Sequence, residues 1–124
     1  MNAVTRYGAI QNETASRERL MVMLFEAAMK HIRIGANDLD VGRKFDGARA
    51  ILKASEIVNY LQRTLDHNAA PELCANLASV YTFTCARLLF ASTTYSAKAA
   101  REAEKALAPL CDAFSEAVRL RGAA

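Results

Sequence analysis

Residues 48–66, ARAILKASEIVNYLQRTLD, decide the fold. Ile51, Val58 and Leu65 recur every seven residues, and Ala50, Ala54, Ile57 and Leu61 lie alongside them. On a helix of 3.6 residues per turn these side chains form one apolar arc, much wider than the seam of a two-stranded pair and suited to the core of a bundle. A helix is predicted over about 44–66, and the rest of the chain is read outward from it.

Upstream, VGRKFDG (41–47) contains two glycines and an aspartate and reads as the first connection, with part of it open to being helical. Before it, Ser16 is a good N-cap, and a helical pattern runs from there to about Asp40. Leu20, Leu24, Ala27, His31 and Ile34 form one stripe on that helix, with Met21, Phe25, Ala28, Ile32 and Leu39 beside it. Residues 1–15 form a leader without sustained periodicity, although it carries Tyr7 and Ile10.

Downstream, DHNAAP marks a break, and Pro71 suits the first turn of a third helix over about 71–91. Leu73, Leu77, Val80, Thr84 and Leu88 are its predicted inward face, flanked by Cys74, Tyr81 and Cys85. STTYS (92–96) is the last turn signal. A fourth helix over about 96–121 places Ala99, Ala103, Ala106, Leu110, Phe114, Ala117 and Val118 at helical spacing. Pro109 lies in its middle, where a missing backbone bond costs about 3 kcal/mol and predicts a kink near Leu107. Short connections make neighbouring helices antiparallel. The fold class is all-α: an up-down four-helix bundle over 16–124 with a short N-terminal cap segment over 1–15.

Composition agrees. The chain has 124 residues, 52% hydrophobic and 23% charged, with two prolines, which describes one compact domain. Sixteen basic residues stand against thirteen acidic ones and are scattered, so nothing argues for nucleic acid. Three cysteines without CxxC spacing suit a reducing compartment. No signal segment opens the chain. The longest apolar run, around LMVMLFEAAM, is interrupted by Glu26 and falls short of the ~20 residues of a membrane span. A soluble cytoplasmic protein is expected.

Catalytic residue types are missing. Neither His31 nor His67 has a glutamate three residues before it, as a di-iron bundle site requires, and there is no HExxH helix or GxxxxGK loop. No cysteine has a histidine and a basic neighbourhood arranged for activation. His31 reads as a core or rim residue and His67 as a solvated loop residue. No enzyme, cofactor or metal is expected.

Apolar residues exceed what one arc per helix needs. Phe83 and Phe90 share a face displaced from the Leu73 stripe, and Leu52 and Tyr60 lie off the main arc of the second helix. A contiguous set of this kind marks a partner surface. The alanines of the fourth helix allow either close packing or a furrow for an amphipathic segment.

The blocks, in order, resemble a known family, the flagellin-specific export chaperones or FliS family. YGAIQNETASRERLMVMLFEAAMKHI (7–32) resembles its opening signature, through Tyr7, Ile10, Thr14-Ala15-Ser16, Leu20 to Leu24 and Phe25-Glu26-Ala27-Ala28. The 48–66 block and PELCANLASVYTF (71–83) resemble its later elements. Asn12, Arg17, Ala69-Ala70 and Phe114 depart from the family's usual aliphatic residue, proline, glycine pair and tryptophan. The resemblance implies a bundle that holds the disordered C-terminal tail of flagellin in the cytoplasm, prevents premature polymerisation, and delivers it to a component of the export gate. It also implies that Tyr7 and Ile10 fold back as a cap over the binding groove. The partner-binding set is then Tyr7, Ile10, Leu52, Ile57, Tyr60, Tyr81, Phe83 and Phe90, with no membrane insertion. The competing reading is a homodimeric bundle whose surplus apolar face meets its own copy, and a homo-oligomer in the free state is compatible with both.

Overall fold

The computed structural model describes residues 13–123, with side chains from 16 to 121. Four helices follow one another: α1 (Glu13–Asp40), α2 (Lys44–Arg63), α3 (Pro71–Thr94) and α4 (Ala97–Ala123). Each packs against two others, in the ring α1–α2–α3–α4–α1. Cross-helix pairs run in opposite directions, as an up-down bundle requires: Gly35 meets Ile51 while Leu39 meets Gly47, Asn59 meets Cys85 while Gln62 meets Thr82, and Arg33 meets Glu104 while Asp40 meets Arg101.

The boundaries have local causes. At the end of α1, Gly42 (φ 83°) donates its N–H to Leu39 O, and the Arg43 N–H reaches Asp38 O. This paired closure of a helix end needs a left-handed residue, which glycine supplies without strain. The α2–α3 turn is held by Asp66, whose Oδ1 accepts from the N–H groups of Asn68 and Ala69. Pro71 opens α3 as expected. α3 ends at Tyr95, which takes the left-handed conformation (φ 58°), and the Ser96 hydroxyl then accepts from the Ala99 N–H to cap α4.

Several expectations are corrected. Ser16 is not an N-cap, because α1 begins at Glu13. Gly47 is not in a connection; it is buried inside α2. There a Cβ would lie 2.9 Å from Gly35 O, so the two glycines let α1 and α2 approach backbone to backbone. Ser92, Thr93 and Thr94 remain helical, with hydroxyls turned back onto the Leu89 and Phe90 carbonyls. The fourth helix, by contrast, has the extent expected of it and keeps Pro109 inside its span.

The core is assembled from Phe25, Ala28, Met29, Ile32 and Ala36 of α1 and Ile51, Ala54, Val58 and Leu61 of α2. α3 adds Tyr81, Leu88 and Ala91, and α4 adds Ala99, Ala100, Ala103, Leu107 and Cys111. The arc read from 48–66 is thus the interior. On α1 the Phe25 stripe faces inward, while Leu20 and Ile34 are exposed. On α3 the inward face is turned toward Cys74 and Tyr81, which leaves Leu73 outside. On α4, Leu107 replaces Ala106 in the core and Ala117 is exposed. Phe25 sits between Tyr81 and Phe114, with ring centroids at 6.4 and 5.6 Å.

Candidate functional site: the outward face of α3

Between Leu73 and Thr94, Arg87 is the only charged residue of α3; Glu72 lies in the first turn. Soluble helices put charge on the side away from the core. Here that side holds Thr82, Phe83, Ala86, Leu89, Phe90 and Thr93, all exposed. Phe83, Leu89 and Phe90 keep 49%, 59% and 47% of their surface in water. By length and composition α3 is apolar enough to cross a bilayer, a feature that the α1 run alone did not suggest, yet only 22% of its apolar window is buried. One such helix is weak evidence for a membrane, and α3 supplies Tyr81, Leu88 and Ala91 to the core. What stands out is apolar surface left over after packing.

The flanking seams differ in chemistry. The α1–α4 seam is crossed by ion pairs: Arg33 with Glu104 (2.6 Å), Arg121 with Glu18 (2.7 Å), and Arg101 with Asp40. The α2–α3 seam is bridged by neutral groups instead. Gln62 Nε2 donates to Thr82 Oγ1 (3.2 Å), and the Cys85 thiol donates to Asn59 Oδ1 (3.4 Å). Leu52 lies on the side of α2 that carries Ser55, Asn59 and Gln62, so it flanks this seam as Leu89 does from α3. Burial pushes the Cys85 thiol up, against a Ser55 hydrogen bond, and burial also raises Cys111, helped by Asp112. Both thiols are held protonated and serve as small packing groups. The Cys74 thiol donates to Asp66 O (3.2 Å), tying α3 to the preceding turn. Among the described residues no group of three or more His, Cys, Asp or Glu converges to hold a metal.

The expected partner-binding residues fall into distinct places. Phe83 and Phe90 share the outward face of α3, and Leu52 (48% exposed) borders it across the seam. Tyr60 does not join them: it lies on the other edge of α2. There it lines a hollow of about 470 Å³ with Arg17, Glu18, Leu20, Met21, Thr64 and Phe114. Ile57 is half-buried against the core. Tyr81, expected at the partner surface, is 2% exposed and belongs to the core, where burial pushes its hydroxyl up to about 12. Tyr7 and Ile10 lie outside the described residues. Leu73, Leu89 and Arg87 were missed. The signal that finds them is the run of 22 residues, Leu73 to Arg87 and on to Thr94, with a single charge.

A second apolar cluster sits at the end of the bundle formed by the α1–α2 and α3–α4 turns. Phe45 and Tyr95 meet edge to face at 6.3 Å, and Lys44 Nζ lies 5.6 Å from the Tyr95 ring centre.

Comparison with known proteins gives this surface its context. The family model described as "Flagellar protein FliS" matches residues 1–121. The flagellar secretion chaperone FliS of Bacillus subtilis (strain 168) is 28% identical over 121 residues, spanning 95% of this chain and 87% of that protein. The protein of the same name from Escherichia coli (strain K12) is 26% identical over 106 residues, 85% of this chain and 78% of that one. The chain therefore belongs to the flagellar protein FliS family.

Proposed function

We propose that this chain is a cytosolic flagellar secretion chaperone that binds the disordered C-terminal tail of flagellin along the outward face of α3, prevents premature polymerisation, and delivers it to a component of the export gate. The observation that carries the reading is the exterior of α3, where Arg87 is the one charge beyond the first turn and Phe83, Leu89 and Phe90 are half in water. A client segment that covers this face needs no catalysis, only apolar side chains at helical or extended spacing. Ordering a disordered tail costs a large part of the gross contact energy, so the complex is releasable. The relatives' names, which specify flagellar secretion, support the choice of client class.

In the cap reading, Tyr7 and Ile10 fold the leader back onto the bundle and cover part of the binding groove when flagellin is absent. Replacing both residues by alanine changes tail affinity; unchanged affinity and unchanged proteolysis of residues 1–15 defeat the cap.

The test of the main reading is calorimetry of the full chain with the last ~40 residues of the cognate flagellin, enough to follow the ~36 Å of α3 as a helix with extended lead-ins. Saturable 1:1 binding, lost in Phe83→Gln/Phe90→Gln, is expected. No binding, or a dimer that persists when the tail is added, supports the homodimer reading, and partition of the chain into lipid vesicles supports a membrane role for α3.

A further inference from the structure

We infer that Arg87 is a specificity residue of the α3 face: it selects a client segment with a carboxylate midway between two apolar anchors. The inference rests on the tail-binding reading above and adds a sequence rule to it.

Arg87 lies four residues after Phe83 and three before Phe90. The two rings are thus about 10.5 Å apart along the helix, with the guanidinium between them. Its side chain is 28% exposed. The guanidinium stacks over the Phe90 ring, 4.7 Å from the centre, and its nearest anion is Glu102 at 3.7 Å, beyond hydrogen-bond reach. Among the described residues it donates no hydrogen bond to the protein. Its N–H donors are therefore left to water and the loose Glu102 pair, on an outward face of α3 that is otherwise uncharged.

Water satisfies them only while the face is open. A segment laid over Phe83 and Phe90 strips water from the guanidinium, and a desolvated cation without a hydrogen-bonded partner opposes binding strongly. A carboxylate in the segment turns that penalty into a charge-assisted, two-pronged contact. The antiparallel register fixed by the Arg87–Glu102 pair sets Phe83 level with Ala106 and Phe90 level with Ala99 across the α3–α4 seam. For a helical segment the rule is an apolar residue at i, Asp or Glu at i+3 or i+4, and an apolar residue at i+7. The rule reads the same in either chain direction.

The experiment uses the full chain, the last ~40 residues of the cognate flagellin as peptide, and copies of that peptide in which each acid meeting the rule becomes its amide. Wild type is expected to bind the amide copy about tenfold more weakly. Arg87→Gln is expected to lose the same factor with the natural peptide and to bind both peptides equally. Arg87→Glu is expected to recover affinity for a copy with lysine at that acid, a rescue that a structural role for Arg87 does not produce. The inference is overturned if wild type binds acid and amide copies alike, if the preference survives in Arg87→Gln, or if the tail binds while lacking any such acid. Failure of wild type to bind the tail at all brings down the tail-binding reading as well, and so is told apart from the other outcomes.

Discussion

Substituting alanine at the glycine crossing of α1 and α2 tests the packing that sets the bundle's register. A Cβ on Gly35 would lie 2.6 Å from Ile51 Cγ1 and 3.0 Å from Gly47 O. Ile51 is fully buried and cannot swing away. A Cβ on Gly47 would lie 2.8 Å from Leu39 Cγ and 2.9 Å from Gly35 O; Leu39 is half-buried and can yield, but the carbonyl belongs to α1 itself. Overpacking of this kind costs about 1–3 kcal/mol, and the better helix propensity of alanine returns about 0.8–1 kcal/mol. Gly35→Ala is therefore expected to lose about 2 kcal/mol and Gly47→Ala about 1 kcal/mol. In a domain of this size each kcal/mol lowers Tm by roughly 3–5 °C. Once one alanine has spread the helices the second meets less resistance, so the double variant should lose less than the sum. Urea unfolding followed by circular dichroism reads all three. A Gly35→Ala protein as stable as wild type would refute the close approach.

Three further outcomes are expected. Leu89→Gln changes stability by no more than about 0.5 kcal/mol, because the side chain is mostly in water, yet weakens tail binding about fivefold; equal loss of both, by parallel unfolding and calorimetry, would make Leu89 a packing residue. Tyr81 has its hydroxyl pushed up to about 12 by burial, with Cys74 adding to the effect. Its neutral form is favoured in the fold, so its contribution is complete below pH 10 and is lost as pH rises toward 12. Unfolding midpoints at pH 9 and 11 should fall in that order, and less steeply in Tyr81→Phe. Tyr95 holds a left-handed backbone at about 1 kcal/mol of strain while its ring meets Phe45 and Lys44. Tyr95→Asn should leave Tm nearly unchanged, whereas Tyr95→Val, with a branched side chain at positive φ, should lower it by several degrees.

How far the sequence could be read depended on contrast along each helix. α2 alternates apolar and polar faces sharply, and its Ile51, Ala54, Val58 and Leu61 arc is the interior. α1 is apolar around most of its circumference, so two stripes competed and periodicity could not rank Phe25 above Leu20. α3 has almost no charge to mark its outside. Its inward face was therefore set one step off, with Leu73 inside and Tyr81 offered to a partner, while the same lack of charge was the best sign of the binding face. Gly47 was read as part of a connection because a glycine marks a turn and a close backbone approach equally well; only the position of Gly35 opposite separates the two. Phe83 and Phe90 were legible as a shared face. Tyr60 was not, because its distance from Leu52 around α2 depends on which neighbour each side of that helix meets.

The most direct test of the account is an amide and methyl chemical-shift map of the full chain titrated with the cognate flagellin tail. Shifts concentrated on Thr82, Phe83, Ala86, Arg87, Leu89 and Phe90, extending to Leu52 across the α2–α3 seam, are the predicted result. Binding whose shifts lie along the ion-paired α1–α4 seam, with α3 unchanged, would contradict it.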